Sequence, residues 1–263
     1  MWKRLRPLAG AADVLRPVCL SVIAMLVAAV AMAFAGSRPG RVVAGVGIAL
    51  IAVAMVLQIR WAVRHLRRQS DMAHEARLDA EQHYAEVLYR IINFVEARDE
   101  YWRGHSENVA RLVEKLARKL DFPARLCRLM HVAGRLHDIG MIAVPEELVK
   151  SRRNFGVDEY RIIKPHSQVS YEVLKPMTSL EDVLAAVRHH HERMNGTGYP
   201  DGLADQEIPL TARILAVADA YDAMTHDRPH RQAMTPLQAM QELRRCSPAG
   251  YDPVCVDALA DVV

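Results

Sequence analysis

Hydrophobic residues change their spacing three times along this chain. Residues 17–36 and 42–59 form two apolar runs without a charge, separated only by Ser-Arg-Pro-Gly-Arg. Each is about long enough to cross a bilayer as a helix. From 61 to about 95 the chain turns polar, without proline or glycine, and Leu66, Ala73, Ala80 and Val87 recur every seven residues. That is the seam of a short coiled coil. Its partner positions, Gln69, Ala76, His83 and Arg90, are poor, so the segment reads as a weak zipper or a plain helical stalk. Beyond it, apolar residues fall at helical spacing. Val109, Leu112, Val113, Leu116 and Leu120 make one stripe, and Leu126, Leu129, Met130, Ala133 and Leu136 another. Residues 180–191, 210–224 and 236–244 repeat the pattern, and no stretch shows sustained strand alternation. The expected fold class is therefore all-α. A two-helix transmembrane hairpin (1–60) and a helical linker (61–93) precede a helical bundle (94–263) of about 170 residues, enough to bury a core.

Charge divides along the same lines. Residues 1–68 hold ten Lys/Arg against one acid, Asp13, a net of +9; the remainder holds 24 basic and 30 acidic residues, a net of −6. An acidic soluble part is a poor nucleic-acid binder, because non-specific affinity needs phosphate neutralisation. The basic residues instead flank the apolar runs. Lys3, Arg4, Arg6 and Arg16 precede the first, and Arg60, Arg64, Arg67 and Arg68 follow the second. Positive flanks stay on the cytoplasmic side, so both ends of the hairpin and the domain beyond are expected there. Arg38 and Arg41 in the turn run against this rule, and Ala33-Phe34-Ala35 offers a signal-peptide cleavage alternative for the first run. Cys19, Cys127, Cys246 and Cys255 form no CxxC pair. That excludes a zinc ribbon and a disulfide framework, in keeping with a reducing cytoplasm.

Within the bundle, polar residues sit where a mere scaffold has little use for them. His105 opens a helix, His137 and Asp138 adjoin at the end of the next, and His166 follows a proline. His189, His190, His191 and Glu192 close a third helix, and Asp219 lies in mid-helix among apolar turns. Singly, each has an ordinary explanation, such as a histidine favouring a helix C-terminus. Together they can converge on the bundle core, where helical bundles build metal sites. A His/Asp set without thiolate suits Fe, Mn or Zn. Two ions sharing a carboxylate would make a dinuclear phosphohydrolase.

Three blocks sharpen this. HDIG, then HHERMNGTGYPDGL, then RILAVADAYDAMTHDRPHR, in that order and spacing, resemble the HD-GYP family of bacterial phosphodiesterases over residues 94–263. The resemblance implies an HD-type phosphohydrolase domain with two divalent ions, Fe or Mn, on His105, His137, Asp138, His166, His190, His191 and Asp219. It makes His137 and Asp138 the catalytic pair, Asp138 bridging the ions, with a bridging hydroxide attacking phosphorus in line. It leaves His189 only as a helix cap and makes Glu192 a carboxylate that orients the histidines. Gly198, Tyr199 and Pro200 would form a substrate-binding lip, and Arg228 and Arg231 would hold substrate phosphates. Two positions depart from the pattern. Tyr101 replaces a carboxylate that recruits a third ion, and Met141 replaces a lysine that contacts the scissile phosphate. The implied substrate is cyclic di-GMP, hydrolysed to pGpG or GMP at the bacterial inner membrane. Another cyclic dinucleotide is the alternative, as is a weakly catalytic module that binds c-di-GMP and docks diguanylate cyclases. A homodimer through the stalk is the expected assembly.

Overall fold

The structure is a computed structural model, and it describes residues 9–34, 36, 38–151, 155–228 and 231–263. Lys3, Arg4 and Arg6 of the basic flank, Ala35 of the cleavage-like site and Ser37 of the turn lie outside the described residues. Among those described there is no strand, and only isolated bridges join Asn195 to Ala204 and Arg228 to Arg231. The chain divides into two compact units, residues 1–79 and 80–263.

In the first unit, α1 (Ala9–Ala33) is followed by the start of α2 (Arg38–Glu96), a continuous helix of 59 residues. The Ser-Arg-Pro-Gly-Arg turn is thus shorter than its sequence suggests. Pro39 and Gly40 lie in the first turn of α2, where a proline has no intrahelical partner to forfeit. No break in the backbone separates the second apolar run from the linker. By length and composition α2 can cross a membrane, whereas the apolar part of α1, Cys19–Met32, is shorter. The two-helix hairpin is therefore not confirmed. Ser21 Oγ donates to Gln58 Oε1 at 2.6 Å. Leu66 and Val87 of the seven-residue seam are exposed.

In the second unit, the last turns of α2 enter the core through Leu88, Ile92 and Val95, all buried. Around them pack α3 (His105–Lys119), α4 (Ala124–Leu136), α5 (Glu146–Val149), α6 (Val157–Ile163), α7 (His166–Leu174), α8 (Leu184–His189), α9 (Leu210–Thr225), α10 (Pro236–Cys246) and α11 (Pro253–Ala260). The apolar stripes read from the sequence supply this core: Leu116, Met130, Leu136, Ile214, Leu215 and Leu243 are fully buried. Helix starts follow local chemistry. Thr235 Oγ1 accepts the amide of Gln238 at 3.3 Å while Gln238 Oε1 accepts that of Thr235 at 2.9 Å, with Pro236 next. Gly140 sets the closest approach. A Cβ there would stand 2.0 Å from the carbonyl oxygen of His166. Only glycine lets the turn after α4 lie on the start of α7, and this contact brings His137 and Asp138 up to His166.

Candidate metal centre

Helix ends deliver most of the cluster. His105 is the first residue of α3, His137 and Asp138 follow α4, His166 opens α7, and His190 and His191 follow α8; Asp219 comes from within α9. Five separate segments therefore meet at one point. His137, Asp138, His166 and His190 are buried, and so is His105.

One device recurs at three of the histidines. Nδ1 of His137 lies 2.8 Å from the carbonyl of Gly134, that of His166 2.8 Å from Ile163, and that of His190 2.7 Å from Val187. A carbonyl can only accept, so Nδ1 carries a proton and Nε2 of each ring is turned inward. His105 is held by a carboxylate instead: its Nδ1 donates to Asp222 Oδ2 at 2.7 Å.

Asp138 sits between two groups. Its Oδ1 lies 3.2 Å from His166 Nε2 and 3.7 Å from His190 Nε2, and His191 Nε2 is 3.0 Å from His166 Nε2. Its Oδ2 lies 3.4 Å from His137 Nε2 and 3.8 Å from His105 Nε2, and Asp219 Oδ1 is 3.3 Å from His105 Nε2. Asp138, His166, His190 and His191 could thus hold one ion, and His105, His137 and Asp138 another. Among the described residues, His137 Nε2, Asp138 Oδ1 and His190 Nε2 are buried without a hydrogen-bond partner. Unsatisfied buried polar atoms are costly. Two of them on the Oδ1 side and one on the Oδ2 side fit cations.

Protonation agrees with that fit at His137, His191, Asp138 and Asp219. At His166 burial lowers the pKa, but the Asp138 carboxylate more than offsets it and raises it. Burial pushes the pKa of His137 down, and burial with the neighbouring His190 and His166 holds His191 well below its usual range. Burial alone would raise Asp138 and Asp219, but the surrounding imidazoles more than offset it and hold both carboxylates low. Neutral imidazole and ionised carboxylate are the ligating forms. For His105 burial lowers and Asp219 and Asp222 raise, leaving it at about 10; there a proton stands where a cation would serve.

The cluster opens on a cavity of about 600 Å³, lined by Gly198 and Tyr199 but not by Pro200, which is exposed. Tyr199 stacks on His191 with ring centres 4.8 Å apart. Gly198 lies so close to Glu192 that a Cβ would stand 2.4 Å from its Cα. Three of the expected site residues are placed differently from the rest. Glu192 does not orient the ligand imidazoles: its Oε1 accepts the amides of Asp201 and Gly202 at 2.7 and 3.0 Å. It pins the loop instead, because its place after the helix end turns its side chain toward that loop. Pro200 is no part of the cavity wall. Arg231 lines the cavity, but its guanidinium donates to the carbonyls of Ala223 and Met224 at 2.6 and 3.2 Å, near the end of α9. Those carbonyls lack helical partners, and they hold a donor expected at phosphate. Arg228 lines the same cavity, its guanidinium 5.6 Å from the centre of the Trp102 ring. His189 turns from the cluster, its Nδ1 3.4 Å from Asp201 Oδ2.

Two residues that sequence reasoning missed support the site. Asp222 stands three residues after Asp219, a spacing that shares a helix face, which was the available signal. Glu96, in the last turn of α2, accepts the amides of Gly104 and Ser106 at 3.1 and 2.6 Å and so holds the backbone on both sides of His105. Nothing in the sequence pairs it with residues ten positions on.

A profile of the HD domain family matches residues 65–254. The cyclic di-GMP phosphodiesterase response regulator RpfG of Xanthomonas campestris is 34% identical over 208 residues, covering 74% of this chain and 55% of that protein. The cyclic di-GMP phosphodiesterase PA4108 of Pseudomonas aeruginosa is 37% identical, covering 63% and 40%. The 3'3'-cGAMP-specific phosphodiesterase 1 of Vibrio cholerae is 33% identical, covering 60% and 37%. The chain thus spans roughly two fifths to just over half the length of these relatives. A solved structure, Bd1817 from Bdellovibrio bacteriovorus, described as an HDG"Y"P protein, shares the fold with a TM-score of 0.53 at 18% identity, covering 72% of this chain and 63% of that one. With the profile match over most of its length and its three motif blocks, the chain belongs to the HD domain family, among the HD-GYP proteins.

Proposed function

We propose that this chain hydrolyses a cyclic dinucleotide, c-di-GMP first, to pGpG or GMP, with two divalent ions, Fe or Mn, held at the cluster. The observation that carries this is the carboxylate of Asp138, whose two oxygens face two separate groups of imidazoles. His166, His190 and His191 would hold one ion, and His105, His137 and Asp219 the other, with Asp138 common to both. Bound there, such ions supply Lewis acidity, which acidifies water and offsets charge on a phosphoester. The protein does the rest. Carbonyl-anchored Nδ1 protons keep three rings turned inward, and the paired rings of Tyr199 and His191 cover one wall. Arg228 is available to phosphate oxygens at the mouth. The relatives named as cyclic di-GMP phosphodiesterases support the substrate class.

The same reading sets the domain on the cytoplasmic face of the bacterial inner membrane. The apolar runs and their basic flanks support it, as does the Ser21–Gln58 bond between α1 and α2. A homodimer through the seven-residue seam and docking to diguanylate cyclases complete it. A second reading, 3'3'-cGAMP as substrate, draws on Met141, an apolar residue in the cavity wall, and on the relative specific for that nucleotide. Protein loaded with Mn or Fe, incubated with a panel of cyclic dinucleotides and followed by chromatography, tests both. Linear pGpG or GMP from c-di-GMP is expected. Turnover of cGAMP alone favours the second reading, and inert protein carrying both ions overturns the two together.

A further inference from the structure

Position 141 leaves the cavity wall without a charge where phosphate has to bind. Met141 lines the cavity, as do four basic residues: Lys164, Arg193, Arg228 and Arg231. Arg231 is tied by side-chain hydrogen bonds, while Arg193 and Arg228 lie over aromatic rings and are partly buried. Arg231 holds the end of α9, Arg193 lies 4.5 Å from the centre of the Tyr251 ring, and Arg228 lies over Trp102 while its backbone bridges Arg231. Lys164 differs. Among the described residues no carboxylate pairs with its ammonium, which rests 5.3 Å from the centre of the Tyr199 ring. That ring is stacked on His191, so one aromatic ring separates the ammonium from the cluster. The Lys164 backbone is fixed, since it follows α6 and precedes Pro165 and the pinned ring of His166. Its side chain is exposed, and a lysine's four-carbon stem is flexible.

We propose that Lys164 is a substrate-phosphate ligand of this site and supplies the positive charge that Met141 does not. This rests on the cyclic-dinucleotide reading above. A cation over an exposed ring is held weakly, whereas an ammonium on a phosphate oxygen makes a charge-assisted hydrogen bond. The ammonium therefore leaves the face of Tyr199 when a phosphate enters. Sequence position concealed this, because Lys164 is 23 residues from Met141 and only the cavity brings them to one wall.

The test measures the Kd of a non-hydrolysable phosphorothioate analogue of c-di-GMP for the full chain loaded with Mn. Wild type is compared with Lys164→Met, Lys164→Arg, and Lys164→Met combined with Met141→Lys. Lys164→Met is expected to raise Kd about tenfold with metal content unchanged. Lys164→Arg should bind nearly as wild type, and Met141→Lys should recover most of the loss. An unchanged Kd in Lys164→Met overturns the proposal. Equal losses in the Met and Arg variants also overturn it, since they mark a role of shape rather than charge. If wild type binds the analogue but leaves c-di-GMP intact, the proposed activity fails while the Lys164 assignment is still decided by the variants. If wild type binds no analogue, both are overturned.

Discussion

The two sides of Asp138 use the same donor type in different electrostatic settings. On the Oδ1 side stand His166, His190 and His191, imidazoles only, two of them anchored through Nδ1 to backbone carbonyls. On the Oδ2 side stand His105 and His137, with Asp219 beside them and Asp222 behind His105. The second side thus carries two further carboxylates, and the raised pKa of His105, at about 10, is their signature. Either acceptor behind a ligating imidazole fixes its tautomer and raises its basicity, and an anionic carboxylate does so more than a neutral carbonyl. On the proposed reading, the Oδ2 side therefore holds its ion more tightly. An anionic partner is what separates two otherwise similar histidine clusters.

The largest expected effect erases the comparison. Asp138→Asn removes the carboxylate common to both sides, so elemental analysis should fall from two ions to none, and hydrolysis should drop by more than about 100-fold. A variant that keeps one ion shows that the sides do not share Asp138. A narrower cut is Asp222→Asn, which leaves the His105 ring in place with a weaker acceptor behind it. Affinity for the Oδ2-side ion should fall about 10–100-fold while the other step of a metal titration stays put. Equal weakening of both steps would break the contrast drawn here.

Glu192→Ala probes the loop whose Tyr199 stacks on His191. It removes the acceptor of two backbone amides and should cost about 1–3 kcal/mol in chemical denaturation. Both steps of the metal titration should persist, since Glu192 touches no ligand imidazole. The smallest effect sets a baseline remote from either side. Glu81 accepts from Thr178 Oγ1 at 2.8 Å and the Ser179 amide at 3.0 Å. Burial would raise its pKa, but those bonds lower it from 4.5 to about 2. A folded pKa below the unfolded one stabilises fully above about 4.5, and that contribution is lost as pH falls toward 2. Solvent screening keeps it below about 1 kcal/mol. Glu81→Gln should flatten this acid limb of the stability curve and leave the metal titration untouched.

Much of this was legible locally. Apolar spacing announced α3, α4, α8, α9 and α10. Of the residues brought together at the cluster, His137, Asp138, His190, His191 and Asp219 stand within the motif blocks, whereas His105 and His166 lie outside them. What escaped was any residue whose role depends on its neighbour in space. Asp222 looked like one more acid in VADAYDAM, although it meets a histidine 117 positions away. Glu192 looked like a partner of adjacent histidines, yet its carboxylate reaches the loop ten residues on. Arg231 looked free for phosphate, yet its guanidinium donates to the carbonyls of Ala223 and Met224.

The sequence by itself therefore determined the longer helices and the donor types, because helical periodicity and capping act over a few residues. Tertiary structure alone decided which oxygen of Asp138 faces which histidines, which carboxylate backs His105, and which exposed cation lies over Tyr199 on the cavity wall. Those outcomes depend on close packing, as where Gly140 lies against the backbone of His166. Such contacts join segments whose separation along the chain carries no information about their distance in space.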